Sequence, residues 1–554
     1  MQPDILIIGS GGGGLTAALR TKALGLTPLV VEKSSLIGGS TCYSGGGLWV
    51  PNNGLHHGVD DSVEEALKYM ENLINPNYAG PASSRERKLV YLENASKMVL
   101  FLKNEGFKWV PSIGYPDYYP QLPGGTAGGR SIEPEVFDLR KLGEWGKKLN
   151  INPAMPTGSL PMYTYEGPKL VRAMCSLDGF GKAVQVFGLR KGYQWLLGRK
   201  PVTLGTSLIA QLLFLCLKRD VTIWTEAGLK QLIVENGKVT GAIINRSGKD
   251  VVVEVKRGLL LGAGGFARNK EMREKYQEHP ITNAWTSASP NDLGDAISAA
   301  MDIGAATELL DDAWWGPTII DPRNGAPMFT LFERALPHSI VVDKSGQRFT
   351  NEAQSYTTFV HDQYERNRTT PAIPAYLIMD QQFRSRYVLA NILPGKTLPR
   401  DVEESGLIVQ GQKLHELAQK LDVDEEGLKA SVKRFNEMVR KGRDDDFNRG
   451  GNEYDRFFGD PASKYASNPS LGTIEKPPFY ACKLVPGDLG TKGGLLTDVN
   501  ARVIGRDGLI IRNLYAFGNT SASVMGRDYC GPGSTLGPAL TFAYIAVNHA
   551  SGSD

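Results

Sequence analysis

Ile5-Leu-Ile-Ile-Gly-Ser-Gly-Gly-Gly-Gly-Leu-Thr-Ala-Ala-Leu19 is the stretch that decides the fold. Four apolar residues run straight into a cluster of glycines, and an apolar-periodic stretch follows without a break. That order predicts a strand over 5–8, a glycine turn over 9–14 and a helix over 15–24. A second strand over 28–31 then closes a βαβ unit. Within the turn the spacing is Gly9-x-Gly11-x-x-Gly14. Gly9 permits the tight turn, Gly11 lets backbone approach a pyrophosphate, and Gly14 lets the helix pack closely on the strand. The helix N-terminus turns unpaired N–H groups and a positive dipole end toward that phosphate. Glu32 closes the second strand, where a carboxylate can accept hydrogen bonds from ribose hydroxyls. A bare glycine triplet is weak evidence, but strand, turn, helix and acid together predict a dinucleotide site.

The segments that follow ask for a longer dinucleotide than NAD. Gly38-Gly39-Ser40-Thr41 and Ser44-Gly45-Gly46-Gly47 offer a second run of backbone donors and hydroxyls, which suits FAD. Strand character returns over 221–261, with a hairpin signal at Glu235-Asn-Gly237, and ends in Gly262-Ala-Gly-Gly265. An irregular, Pro- and Gly-rich insertion occupies 111–168. From 316 to 478 short strands alternate with charged helices, such as those over 414–421 and 425–441, before the glycine-rich style resumes at 484. The reading is an α/β chain with a Rossmann-like FAD-binding domain interrupted by an inserted α+β catalytic cap. Its expected boundaries are 1–315 and 481–554 for the FAD domain and 316–480 for the cap.

Bulk properties exclude several classes. The net charge is +3 over 554 residues, so no global field recruits nucleic acid. Five scattered cysteines make no CxxC pair and no metal-like spacing; no disulfide framework and no metal are expected, and a reducing, cytoplasmic setting fits. No secretory leader is read at the start. The longest apolar run, 208–217, is too short to span a bilayer.

Glu32 to Gly47, Gly262-Ala-Gly-Gly-Phe266 and Tyr515-Ala-Phe-Gly-Asn519 resemble the succinate dehydrogenase/fumarate reductase flavoprotein superfamily. The resemblance implies an FAD domain, a cap, and an active site between them, and it adds Gly264, Gly518 and Asn519 to the cofactor set. No histidine lies near 38–47, so a dissociable, non-covalent FAD is expected. Within the superfamily the chain is similar, over nearly its whole length, to the 3-ketosteroid Δ1-dehydrogenases. The matching pieces are Trp49-Val-Pro-Asn-Asn53, Asp117-Tyr-Tyr119, Gly129-Arg-Ser-Ile-Glu133, Asp311-Asp-Ala-Trp-Trp-Gly-Pro317 and Arg348-Phe-Thr-Asn-Glu352. Val485-Pro-Gly-Asp-Leu-Gly-Thr-Lys-Gly-Gly494 and Val524-Met-Gly-Arg-Asp-Tyr529 complete the set.

That resemblance implies removal of a hydride from carbon 1 and a proton from carbon 2 of a 3-ketosteroid. In Tyr529-Cys-Gly-Pro-Gly533 the Tyr529 hydroxyl and the Gly533 N–H would grip the ketone; Cys530 departs from the proline or alanine of the family pattern. Tyr356 would take the proton and Tyr118 would support it, with Tyr119 as the neighbouring candidate. Gly537, Pro538 and Leu540 would open a last helix whose N-terminus faces the flavin pyrimidine edge. The partners implied are a 3-ketosteroid and an electron acceptor that reoxidises the flavin. Rival readings are a dehydrogenase acting at carbons 4 and 5, a fumarate-reductase-like catalyst and a non-enzymatic steroid or flavin binder. Against the second, Ala313-Trp-Trp-Gly-Pro-Thr318 is aromatic and lacks a histidine.

One stretch stands outside the enzyme reading. Residues 178–200 interleave Phe180, Phe187, Tyr193, Trp195, Leu196 and Leu197 with five basic side chains against one acidic. With the apolar run to 217, this 178–217 segment is expected as a peripheral membrane-surface element or, equally, as an ordinary solvated helix.

Overall fold

A computed structural model describes residues 2–56, 61–153, 160–465 and 467–552. Of the irregular insertion read from the sequence, 154–159 lie outside the described residues. The apolar strand Ile5–Ile8 is fully buried and pairs in parallel on both sides, with Pro28–Val31 and with Gly258–Leu261. Burial on both faces explains its unbroken apolar run. The nucleotide sheet continues outward through Thr222–Trp224 on one flank and Ile510–Ala516 on the other. The chain thus returns from its far end to complete a sheet begun by its first residues. Lys238–Arg246 and Lys249–Glu254 extend that flank, and Ala227–Glu235 pairs antiparallel with Lys238–Arg246. Their connecting hairpin has positive φ at both Asn236 (52°) and Gly237 (69°), the conformation an Asn-Gly turn adopts.

The first helix runs Gly12–Ala23, three residues earlier than its apolar pattern suggested, because the glycines that make the turn also form its first turn. Facing it is the buried C-terminal helix Leu536–Ser551. Leu204–Lys218 packs on the same region with almost every residue buried. The apolar run at 208–217 is therefore core, not membrane surface: Leu208, Ile209, Leu212, Leu213 and Cys216 are fully buried in one cluster with Leu15 and Val30.

A second, six-stranded sheet carries the cap: Pro327–Phe329, Ala313–Ile320, Phe479–Thr491, Ala375–Asp380 and Ser339–Val342 in that order, with Val409–Gly411 also on Phe479–Thr491. The expected boundaries at 316 and 480 fall inside two of these strands. Helices Leu414–Leu421 and Glu425–Lys441 cover one face, where Leu417, Leu428, Val432 and Phe435 meet Ile340 and Ile378.

Leu177–Ala183, Val184–Arg190 and Lys191–Leu196 form a continuous helical arm in which Val184–Arg190 is a π-helix. Its large apolar side chains face outward: Leu177 is 92% exposed, Trp195 78% and Leu196 77%. Among the described residues no helix is long and apolar enough to cross a membrane.

A fully buried ion pair ties the two sheets' surroundings together. Arg273, in helix Lys270–Tyr276, donates at 2.6 Å to Asp488 of the long cap strand, which also accepts from Thr286 Oγ1 at 2.6 Å. Arg273→Met strands a buried carboxylate and is expected to cost about 3–5 kcal/mol. A lowered Tm by circular dichroism checks this, and adding Asp488→Asn should recover part of the loss.

Candidate active site

The glycine turn is enforced by contact. Gly9 has φ +103°, and a Cβ there would lie 2.4 Å from the Gly262 carbonyl oxygen; a Cβ on Gly14 would lie 2.0 Å from the Gly9 oxygen. Gly11 differs, because its Cβ would make only an ordinary 3.5 Å contact with Thr41 Oγ1. Protein packing does not require glycine at that position, whereas close approach of a ligand to the backbone does. As N-cap, Gly11 offers no side-chain acceptor, so the first-turn N–H groups stay open, save that Gly12 N donates to Thr41 Oγ1 at 3.2 Å. Glu32 is held in place by Ser10, whose N–H and hydroxyl donate to Oε2 at 3.0 and 2.6 Å, and by Ser34 N at 2.9 Å to Oε1.

The second glycine run folds as the short helix Gly39–Tyr43 and a following turn. Gly39 has φ +47° and nothing near its missing Cβ, so it presents open backbone. Ser40 and Ser44, expected as cofactor donors, spend part of their capacity on the protein. Ser40 Oγ accepts from Ser289 N at 3.0 Å; Ser44 Oγ donates to the Thr41 carbonyl at 2.7 Å and accepts from Gly46 N at 3.0 Å. Gly45 approaches Thr164, and Gly46 approaches Leu204. Gly264 (φ +86°) sits against buried Asp292, whose Oδ2 has no hydrogen-bond partner and whose carboxyl is pushed up to about 7 by burial. Gly518 opens the turn Gly518–Thr520, and Asn519 Oδ1 accepts from Trp314 Nε1 at 3.0 Å. Gly537, Pro538 and Leu540 occupy the first turns of Leu536–Ser551, with Gly537 against the Trp49 carbonyl and Leu540 against Gly12.

Three tyrosines from distant parts of the chain converge beyond this cradle. Tyr118 donates to Tyr356 hydroxyl to hydroxyl at 3.0 Å. The Tyr118 ring stacks on Tyr529 with centroids 5.1 Å apart, and Tyr356 meets Tyr529 edge-on at 5.2 Å. The neighbouring Tyr119 turns away and bonds the Thr358 hydroxyl instead. Tyr356 is the first residue of helix Tyr356–Asn367, which aims it back from the cap. Tyr118 is placed by its own N–H, which donates to the Cys530 carbonyl at 3.0 Å. That carbonyl also accepts from Tyr69 Oη at 2.7 Å. Gly533 has φ +97°, and a Cβ there would lie 2.4 Å from the Gly47 oxygen, so only glycine fits.

Burial raises the pKa of all three phenols. For Tyr356 it acts first, reinforced by the charge of ionised Tyr529 and opposed by the Tyr118 hydrogen bond. For Tyr118 burial is again first, followed by Tyr356. Tyr529 is raised by burial, opposed by the hydroxyls of Thr535 and Tyr356 and by the Gly533 N–H, and its hydroxyl lies 3.3 Å from Thr535 Oγ1.

Several supporting residues had no decisive signal in the sequence. Asp117 accepts from Trp49 Nε1 at 2.7 Å and pairs at 2.8 Å with buried Arg130, which also binds Asp61 at 2.7 Å. Trp314 caps Tyr529 edge-on at 5.2 Å, and Tyr454 packs on Tyr118 at 4.6 Å. Among the described residues no cluster of metal-ligating side chains occurs.

A parallel sheet with a glycine cradle running from one helix N-terminus to another, and an enclosed aromatic site beyond it, defines a dinucleotide-dependent flavoprotein. The family model for the FAD binding domain matches residues 4–536, and the chain belongs to that FAD-binding family. Among its relatives, the 3-oxosteroid 1-dehydrogenase of Mycolicibacterium smegmatis is 42% identical, covering 98% of this chain and 96% of that protein. The 3-oxosteroid 1-dehydrogenase of Mycobacterium tuberculosis is also 42% identical, covering 99% and 98%. The crystal structure of 3-ketosteroid Δ1-dehydrogenase from Sterolibacterium denitrificans, in complex with 1,4-androstadiene-3,17-dione, covers 100% of both chains at 38% identity and TM-score 0.93. FAD is thus the cofactor the cradle serves. The open backbone at Gly11 and Gly39 and the unpartnered Asp292 Oδ2 fit such a group.

Gly9→Val should close the cradle from the inside. The purified variant is expected to lack the yellow flavin absorbance while the wild type carries it, as read from the ratio of visible to ultraviolet absorbance.

Proposed function

We propose that this protein desaturates the 1,2 bond of 3-ketosteroids, with Tyr356 as proton acceptor and Tyr529 and Gly533 as the grip on the ketone. The observation that carries the reading is the Tyr118–Tyr356 hydrogen bond at 3.0 Å inside a buried aromatic cluster shared with Tyr529. Bound FAD supplies the acceptor for the carbon-1 hydride. The chain's own residues handle the proton and the oxygen. The carbon-2 proton is acidic only while negative charge is stabilised on the ketone oxygen, and the Tyr529 hydroxyl and the Gly533 N–H are the donors assigned to it. The proton then passes to Tyr356 Oη. Tyr118 donates to that oxygen and stabilises its deprotonated form. Trp314, Tyr454 and Phe329 line the pocket with apolar surface suited to a flat hydrocarbon skeleton and exclude water.

Tyr356→Phe should lower turnover of androst-4-ene-3,17-dione by about 100- to 10,000-fold while anaerobic difference spectra still report steroid binding. Burial raises the Tyr356 pKa, so its basic form gains population as pH rises, and kcat/KM should climb through the alkaline range. Tyr118→Phe removes the hydrogen bond that lowers this pKa and should shift the rising limb to higher pH. An unchanged profile would assign the base elsewhere.

The same proposal includes peripheral attachment to an anionic membrane surface through the arm Leu177–Leu196, in a cytoplasmic protein whose substrate partitions into lipid. Support comes from its outward Leu177, Phe180, Leu189, Trp195 and Leu196 beside Lys191, Arg199 and Lys200. Co-sedimentation with phosphatidylglycerol vesicles should fall with salt and disappear in Trp195→Glu/Leu196→Glu, with detergent-solubilised steroid turned over at the wild-type rate. Equal sedimentation of the double variant would refute attachment by this arm.

A further inference from the structure

Directly beyond Thr491, where the long cap strand ends, Lys492 is fully buried. Its ammonium donates to the Asp528 carbonyl at 3.2 Å, lies 4.8 Å from the centre of the Trp314 ring, and reaches Asp312 Oδ2 at 3.5 Å. That last distance is long for a charge-assisted hydrogen bond, whose usual span is about 2.7–2.9 Å. Asp312 is already engaged through Oδ1, which accepts from Trp315 Nε1 at 2.6 Å, Ala313 N at 2.9 Å and His361 Nε2 at 2.9 Å. The pair is loose, and the ammonium keeps a donor to spare.

Lys492 lines a small cavity together with Arg87, Trp314, Asn519, Thr535 and Pro538. Thr535 and Pro538 are the start of the helix Leu536–Ser551. Arg87 is also buried: it donates to the carbonyls of Ala82 and, at 3.4 Å, Ala522, its Nε has no partner, and no carboxylate among the described residues pairs with it. Two buried cations and the positive end of a helix therefore border one space. Burying an ammonium is costly in real proteins even after relaxation, and an apolar side chain of equal length would fill the same volume. The arrangement suits negative charge in that space.

We propose that Lys492, supported by Arg87, stabilises the negative charge that two-electron reduction places on the flavin and so raises its reduction potential. This rests on FAD as the cofactor and on the placement, implied by the family resemblance, of its pyrimidine edge at the start of Leu536–Ser551. Such a group matches the charge balance. The substrate's carbon-1 hydride carries two electrons and one proton to the flavin, the carbon-2 proton goes to Tyr356, and the flavin is left one unit more negative than before. Lys492 and Arg87 would meet that increment from the space they share with the start of Leu536–Ser551, whereas Tyr356 and Tyr118 would serve the steroid. Lys492 is thus a cofactor-tuning residue, distinct from the groups that move the substrate proton. Its neighbours explain how it is held: Asp312 anchors the ammonium, His361 and the Trp315 indole fix Asp312, and Trp314 lies between Lys492 and Tyr529.

The test is the flavin midpoint potential, measured in the absence of steroid on flavin-loaded wild type, Lys492→Met and Lys492→Arg. Lys492→Met is expected to shift the equilibrium at least tenfold toward oxidised flavin, a fall of about 30 mV for a two-electron couple, and Lys492→Arg should stay near the wild type. A Lys492→Met protein with full flavin content and the wild-type potential would overturn the proposal and leave Lys492 a structural ion-pair partner. If that variant does not hold flavin, Lys492→Gln, which keeps a donor for the Asp528 carbonyl, is read the same way. A wild-type potential no higher than that of free FAD overturns the proposal independently of any variant. Because no steroid enters these measurements, failure of the desaturation reading would show separately, as absence of the 1,4-diene product.

Discussion

The carbonyl oxygen of Cys530 accepts the Tyr118 N–H and the Tyr69 hydroxyl, and the order of the site radiates from that junction. One bond brings the loop after Asp117 against the segment that carries Tyr529 and Gly533. The other brings in the helix Val63–Leu73. Tyr69 also accepts from Tyr119 N at 3.2 Å, so both residues of the tyrosine pair are pinned by their backbone and only Tyr118 is free to turn its hydroxyl toward Tyr356. A buried carbonyl that lost these donors would carry an uncompensated desolvation cost of about 1–3 kcal/mol. The side chain of Cys530 is not what matters there. Its thiol packs against Met525, while its backbone sets the register between neighbouring segments.

Around this junction and in the cap several charges are buried in pairs and triads. Arg130 serves both Asp117 and Asp61, and in the cap Arg348 and Arg449 both reach Glu352 while Arg348 also holds Asp444. Such groups add little net stability over apolar replacements, yet removing a single partner is expensive, so they act as locks on geometry. The Asp117–Arg130 lock stands next to Trp49, whose indole N–H it receives and whose carbonyl accepts from Tyr91. The floor of the active site is therefore fixed on both sides of one tryptophan.

Much of the nucleotide side was legible because steric rules act locally. Gly9 and Gly14 could be read as obligatory from spacing alone, and the contacts with Gly262 and Gly9 that exclude a Cβ are those the spacing implies. Glu32 was placed by its position at a strand end, and helices 414–421 and 425–441 by charge and period. Other features depend on partners far along the chain. The sequence could not show that Ser40 accepts from Ser289 N, nor that the apolar run at 208–217 is core, because both depend on segments that only the tertiary fold brings near. The boundaries at 316 and 480 missed the strands Ala313–Ile320 and Phe479–Thr491 for a similar reason: a glycine- and proline-containing strand reads as a break until its neighbours are known. Lys492 was visible only as one letter in Val485-Pro-Gly-Asp-Leu-Gly-Thr-Lys-Gly-Gly494, since its burial and its loose partner are non-local.

The strand Phe479–Thr491 is thirteen residues long, about 44 Å at the usual rise per residue. At its start it bonds to Ala375–Asp380 in the cap, and at its end Thr491 Oγ1 accepts the N–H of Phe266 in the cofactor loop. A single strand, paired with Ala375–Asp380 over its first half and with Ala313–Ile320 over its second, thus behaves as a beam clamped at both ends. Rotating the cap would have to flex that beam or unzip its pairing, and Gly490, with φ +128°, marks the point where its backbone is least like an extended strand. Torque applied at the cap therefore arrives two residues from the buried ammonium, so the mechanical state of the lid and the electrical setting of the cofactor share one piece of backbone.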